Sequence, residues 1–180
     1  MSWTTFLENA PPAEHAVQVY TELEELAASV GRFLDAGFRA GEPALVIATS
    51  DHWTIFRAEL ERRGRQVDEL QEQGLLTCRD ADETLAALMG GDAPSPVRFE
   101  EVVGGLVEEV TRRFPGKTVR AFGEMVDVLL RRGQESAAIA LEELWNGLLG
   151  THGFALLCAY ELDVFDLDAQ TSTIPGSAEV

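Results

Sequence analysis

The sequence predicts an α/β fold, with a mostly parallel central sheet of about five strands flanked by helices. Two observations predict it. Short apolar runs alternate along the chain with longer stretches whose apolar residues recur at helical spacing. Two of the short runs, residues 43–49 (PALVIAT) and 154–160 (FALLCAY), are almost continuously apolar, as expected of strands covered on both faces.

Each element has its own signature. His15–Tyr20 (HAVQVY) alternates and reads as a strand. Tyr20, Leu23, Leu26, Val30, Phe33 and Leu34 then repeat at helical spacing until Gly37 and Gly41 intervene. The run 43–49 is the second strand, and Ser50 or Asp51 is suited to cap the helix that continues through Ile55, Phe56 and Leu60. Residues 75–79 (LLTCR) form a third strand, followed by a helix around 83–89. The sequence GGDAPSP breaks the pattern and is expected to form a mobile loop beside a ligand site. Val102, Val103, Leu106, Val107, Val110 and Phe114 mark an amphipathic helix ended by Pro115-Gly116. A strand over 118–122, helices over 125–132 and 137–149, and a last strand over 154–160 complete the pattern.

Composition bounds the rest. A chain of 180 residues, 46% of them hydrophobic, can bury one sizeable core and is short for two. The expected organisation is an N-terminal extension over 1–14, a single domain over 15–167, and a flexible acidic tail over 168–180 that carries no Lys or Arg. The net charge of −17, from 31 acidic and 14 basic residues, would repel a phosphate backbone, so direct nucleic-acid binding is not expected. No apolar run approaches the roughly 20 residues that span a bilayer, and the N-terminus lacks the basic-then-apolar order of a signal peptide. A cytoplasmic protein with no membrane contact is expected. Cys78 and Cys158 lie in separate apolar runs and are expected to be free buried thiols.

Open α/β sheets bind ligands beyond the carboxyl ends of their strands. The inferred strands end at Tyr20, at Thr49-Ser50-Asp51-His52-Trp53, at Cys78-Arg79-Asp80, at Gly123-Glu124 and at Tyr160, and parallel strands would bring these groups to one rim. Taken singly, Ser50 and Asp51 also read as helix caps and Trp53 as a sheet-edge cover. The loop Thr49–Thr54 occupies the place of a P-loop but has neither glycine nor lysine, and Asp51 adds charge of the wrong sign for phosphate.

Glu124 directly follows an apolar strand and a glycine, so a buried carboxylate there needs a partner. Arg120, Arg39, Arg79, His52 and Tyr160 are the candidates. It is either a structural tie between strand and loop or an acceptor facing a ligand. Trp145, on the apolar face formed with Leu141, Leu144 and Leu148, is a core residue or the wall of a small cavity. Asn146-Gly147 reads as a loosened helix end or a polar contact. His15, His52 and His152 match no zinc spacing with either cysteine, so no metal is expected, and Ser50-Asp51-His52 are consecutive rather than convergent, so no hydrolase triad is expected. His15 begins its strand and is expected at a turn or surface, away from the proposed rim.

His15 and Tyr20, Gly123-Glu124-Met125, Leu141-Glu142, Leu144-Trp145-Asn146, and Cys158 with Tyr160, in this order, resemble the MEDS domain, a sensory module of methanogens, methylotrophs and the regulator of dichloromethane metabolism. The resemblance runs from His15 to about Tyr160. It implies a non-catalytic sensor of small hydrocarbon derivatives, with no cofactor, on a fold similar to RecA and KaiC ATPases but without a P-loop. The ligand-binding residues expected on this reading are Tyr20, Thr49, Ser50, Asp51, His52, Cys78, Glu124, Trp145 and Tyr160. Relatives are often joined to DNA-binding or signalling segments. This chain shows no helix-turn-helix, kinase or phosphoacceptor pattern, so the expected outlet is a regulatory protein partner or a homodimer. A nucleotide binder or enzyme on the same fold, with Glu124 as general base, is the rival; a structural adaptor without a ligand is a third reading.

Overall fold

The computed structural model describes residues 2–162. A five-stranded sheet runs in the order β1-β5-β4-β2-β3, from β1 (His15–Tyr20), β2 (Ala44–Ala48), β3 (Leu76–Asp80), β4 (Arg120–Gly123) and β5 (Ala155–Glu161). Every pairing is parallel. The fold class read from alternation therefore holds, and the apolar runs are central: β2 and β4 are buried at every position. From β2 the chain moves outward to β3, whereas from β4 it moves the other way to β5. Neighbouring strands whose chains leave in opposite directions open a crevice at their carboxyl ends. Here that crevice lies between β2 and β4.

Two helical layers cover the sheet. On one face, α1 (Trp3–Asn9), α2 (Leu23–Arg39) and α3 (Ser50–Arg62) pack Phe6, Phe33, Leu34, Phe56 and Leu60 against Val46, Phe122 and Leu157. The short α4 (Val67–Glu72) joins this layer through Val67. On the other face, α5 (Ala81–Leu88), α6 (Pro96–Phe99), α7 (Gly105–Arg113), α8 (Met125–Arg131) and α9 (Glu135–His152) cover Leu45, Ile47, Ala121, Leu156 and Cys158. Between α6 and α7 the helix continues as a π-turn over Glu100–Gly104. Among the described residues no helix is long and apolar enough to cross a membrane.

Several local expectations change. Gly37 does not end α2; the helix runs through it and stops at Ala40, before Gly41 at φ +68°. Thr49, not Ser50 or Asp51, occupies the N-cap of α3, and Ser50 is the first helical residue. Asp80 caps α5 by accepting the Glu83 N–H at 2.9 Å. Asn146 and Gly147 lie inside α9, which continues to Gly153 in the left-handed conformation at φ 61°. The segment before His15 folds as α1, with Phe6 and Leu7 buried against α2. The acidic tail over 168–180 lies outside the described residues.

Arg120 fixes the amino end of the sheet. Its guanidinium is buried, donates to Glu42 Oε2 at 2.7 Å, to the Leu7 and Phe33 carbonyls at 2.9 Å and to the Glu8 carbonyl at 3.1 Å, and lies over the Phe33 ring. One cation thus joins β4, α1, α2 and the turn into β2. It also explains Gly37, since a Cβ there would lie 2.6 Å from Arg120 Cδ. Arg120→Met should cost about 3–5 kcal/mol in urea unfolding, the range for breaking a buried pair and leaving its partners unsatisfied. Gly37→Ala, which gains up to about 1 kcal/mol in an open helix, should here destabilise by about 1–3 kcal/mol because Arg120 is held too firmly to give way.

Candidate functional site

The crevice between β2 and β4 is closed from within by Glu124. Gly123 ends β4 where a Cβ would come 3.2 Å from Trp145, so glycine permits the close approach of α9. Glu124 follows at φ −120°, ψ 9°, in the sparsely populated bridge region. Its N–H donates to the Ile47 carbonyl at 3.1 Å, and its own carbonyl accepts the Val128 N–H of α8 at 3.0 Å. The side chain then crosses the strand ends to β2. Glu124 Oε1 accepts the Thr49 N–H at the entry to α3, and Oε2 pairs with His52 Nδ1 at 2.7 Å. Only 1% of the Glu124 side chain is exposed, so both oxygens spend their charge on internal donors. Of the partners suggested by sequence, tertiary structure selects His52. Arg120 is committed to Glu42, Arg39 to Asp35, and Arg79 donates to the Cys78 carbonyl.

A second group of charges surrounds this dyad. The Tyr20 ring meets the His52 ring edge-on, with centroids 6.5 Å apart. Asp127 on the first turn of α8 accepts the Glu161 N–H at 3.0 Å and pairs with Arg131 at 3.0 Å. The hydrogen bond to Glu124 holds the His52 pKa above the usual histidine range, against the opposing effect of burial. Burial, reinforced by the Asp127 and Glu161 carboxylates, pushes the Tyr20 phenol up, so it stays a neutral donor. Burial also raises Asp127. Sequence reading missed Asp127, although an aspartate inside the apolar run MVDVLL was a visible signal.

The expected rim exists, but the sheet divides it. Tyr20, Thr49, His52 and Glu124 gather on the side of α2 and α3, whereas Trp145 and Tyr160 belong to the core of the opposite face. The register explains this: Tyr160 lies opposite Val19 and Tyr20 opposite Glu161, so the two tyrosines point to opposite faces. Trp145 is fully buried between Phe99 and Phe154. Asp51 is exposed on the first turn of α3.

Ser50 and Cys78 line a mostly apolar hollow of about 200 Å³ beside α3, with Val46, Ala48, Trp53, Arg79 and Asp80. Burial pushes the Cys78 thiol up to about 12, so it contributes as a neutral, weakly polar wall. A larger hollow of about 280 Å³ follows the edge of β3 and is lined by Gln71, Glu109 and Arg113. Its charged walls make it the poorer match for an apolar ligand. Residues 90–96 line neither hollow.

His52 should titrate by NMR above the ordinary value of about 6.5, and Glu124→Gln should return its midpoint toward that value. A pKa raised by folding contributes stability that is fully present below about pH 6.5 and is lost as pH rises through the folded midpoint. Wild-type unfolding free energy should therefore carry this alkaline loss. Glu124→Gln should lack it and be less stable by about 1–3 kcal/mol at acidic pH.

No curated protein matches this chain. Residues 14–174 match the model of the MEDS family, the methanogen/methylotroph, DcmR sensory domain. That match covers the whole sheet, both helical layers other than α1, and the Glu124–His52 dyad. The chain belongs to the MEDS family of sensory domains.

Proposed function

We propose that the protein is a non-catalytic sensor that binds a small organic molecule at the carboxyl edge of the sheet and reports it to a regulatory protein. The observation that carries this reading is the internal occupancy of the α3 entrance. In nucleotide-binding α/β proteins the amides after such a strand receive phosphate. Here the amide of Thr49 is committed to the Glu124 carboxylate, which repels a second anion. Next to it lies the hollow walled by Val46, Ala48 and Trp53, a size that suits a few heavy atoms rather than a nucleoside triphosphate.

Occupancy of the hollow has a direct route to the surface. Trp53 and His52 are adjacent on α3, and His52 is bonded to Glu124, whose backbone begins α8. A ligand that displaces Trp53 would shift the helix that holds the dyad. We read the outlet as a basic regulatory partner or a second copy of the chain, since the surplus of acidic residues favours a basic face and disfavours nucleic acid. The rival reading, an enzyme that uses Glu124 as general base, places the base where both oxygens are already engaged.

A thermal-shift screen tests the proposal. Small apolar and halogenated organics should raise the Tm, through a stabilisation of about 2.7 kcal/mol at 100-fold excess over Kd, and Mg-ATP should not. Ala48→Leu, which fills the hollow, should abolish the organic-ligand shift with the fold intact by circular dichroism. Stabilisation by Mg-ATP, or hydrolysis lost in Glu124→Gln, would favour the enzyme instead.

A further inference from the structure

We propose that His15, Glu142 and Cys158 form a binding site for a divalent transition-metal ion of the zinc class, on the face of the sheet away from Glu124. Their ligand atoms lie within 4.8 Å of one another. Zinc bonds to nitrogen, oxygen and sulfur are roughly 2.0–2.3 Å long, so a shared ion would draw these atoms together from their present spacing. The fold aligns them by register. His15 and Val17 share a face of β1, and Val17 pairs with Cys158, so the imidazole and the thiol stand diagonally on one surface under α9. Glu142 and Asn146 are one turn apart on α9 and face that surface together.

The polar atoms point to a ligand. His15 Nδ1 lies 3.1 Å from Asn146 Oδ1, and because a carbonyl oxygen can only accept, Nδ1 carries the proton. The lone pair then resides on Nε2, which is buried without a hydrogen-bond partner. Glu142 Oε1 is likewise buried and unpartnered, with the residue only 6% exposed. Buried polar atoms are ordinarily satisfied. A cation cures both at once. Coordination by sulfur then sends the thiol proton to solvent. The Asn146 contact is the kind of outer partner that orients a metal-binding histidine. Three protein donors leave a fourth position for water or an exchangeable ligand.

Cobalt(II) added to chelator-treated full-length protein reads the site directly. The expected result is stoichiometric binding with a cobalt–thiolate charge-transfer band, displaced by zinc. The band should disappear in Cys158→Ser, persist in Cys78→Ser, and require about 10–100-fold more cobalt in Asn146→Ala. Circular dichroism before metal addition checks each fold. If Cys158→Ser does not fold, His15→Gln and Asn146→Ala decide the matter, and unchanged affinity in both overturns the site. Absence of a thiolate band in the wild type, or a band that follows Cys78 instead of Cys158, also overturns it.

Discussion

A buried carboxylate at the crossing of two strands is the constraint around which this protein is arranged. Glu124 sits where β2 and β4 send the chain in opposite directions, and its two oxygens close that gap onto the Thr49 amide and the His52 ring. An isolated charge in this position would be too costly to keep. The carboxylate is therefore met by a histidine on the first turn of α3 and stands at the entry to α8, while the glycine before it makes room for Trp145 of α9. The same group that makes the crevice stable makes it unwelcoming to phosphate. Of the two readings of Glu124 in the sequence, the fold displays the structural tie between strand and loop.

Ionic chemistry is distributed unequally over a strongly acidic chain. Most of the few cations make surface pairs such as Arg57–Glu61 and Arg132–Asp82, which contribute little individually. Arg120 is different because it replaces water for backbone carbonyls of two helices at the amino edge of the sheet. The two ends of β4 thus carry opposite charges with separate duties. Arg120 assembles the layer of α1 and α2, and Glu124 arranges the carboxyl edge.

The two faces of the sheet also carry different polar groups. One face ends in the His52–Glu124 dyad and the hollow along α3, and the other buries His15, Glu142 and Cys158 under α9. β5 connects them physically, since Cys158 lies on it and its last residue, Glu161, donates to Asp127 beside the dyad.

Fold class was legible because strand and helix periods are local properties of sequence. The apolar runs of β2 and β5, the ending of α2 near Gly41 and the position of Glu124 after a strand all follow from neighbouring residues. The family motifs were legible too, as a set of residue types in order. What could not be read was which residues meet. His52 and Arg120 were equally plausible partners for Glu124, and only strand order gives one of them to Glu42 instead. Gly37 looked like a helix stop because the side chain that needs its space lies 83 positions away, at Arg120. Tyr20 and Tyr160 both lie at the carboxyl ends of their apolar runs, yet the β1–β5 register sends them to opposite faces. His15, Glu142 and Cys158 fit no spacing rule because they converge from three elements. Sequence by itself determined the elements, the acidic character and the type of chemistry available. Tertiary structure alone decided the partnerships, because pairing of buried groups depends on strand order and register, which short-range patterns do not encode.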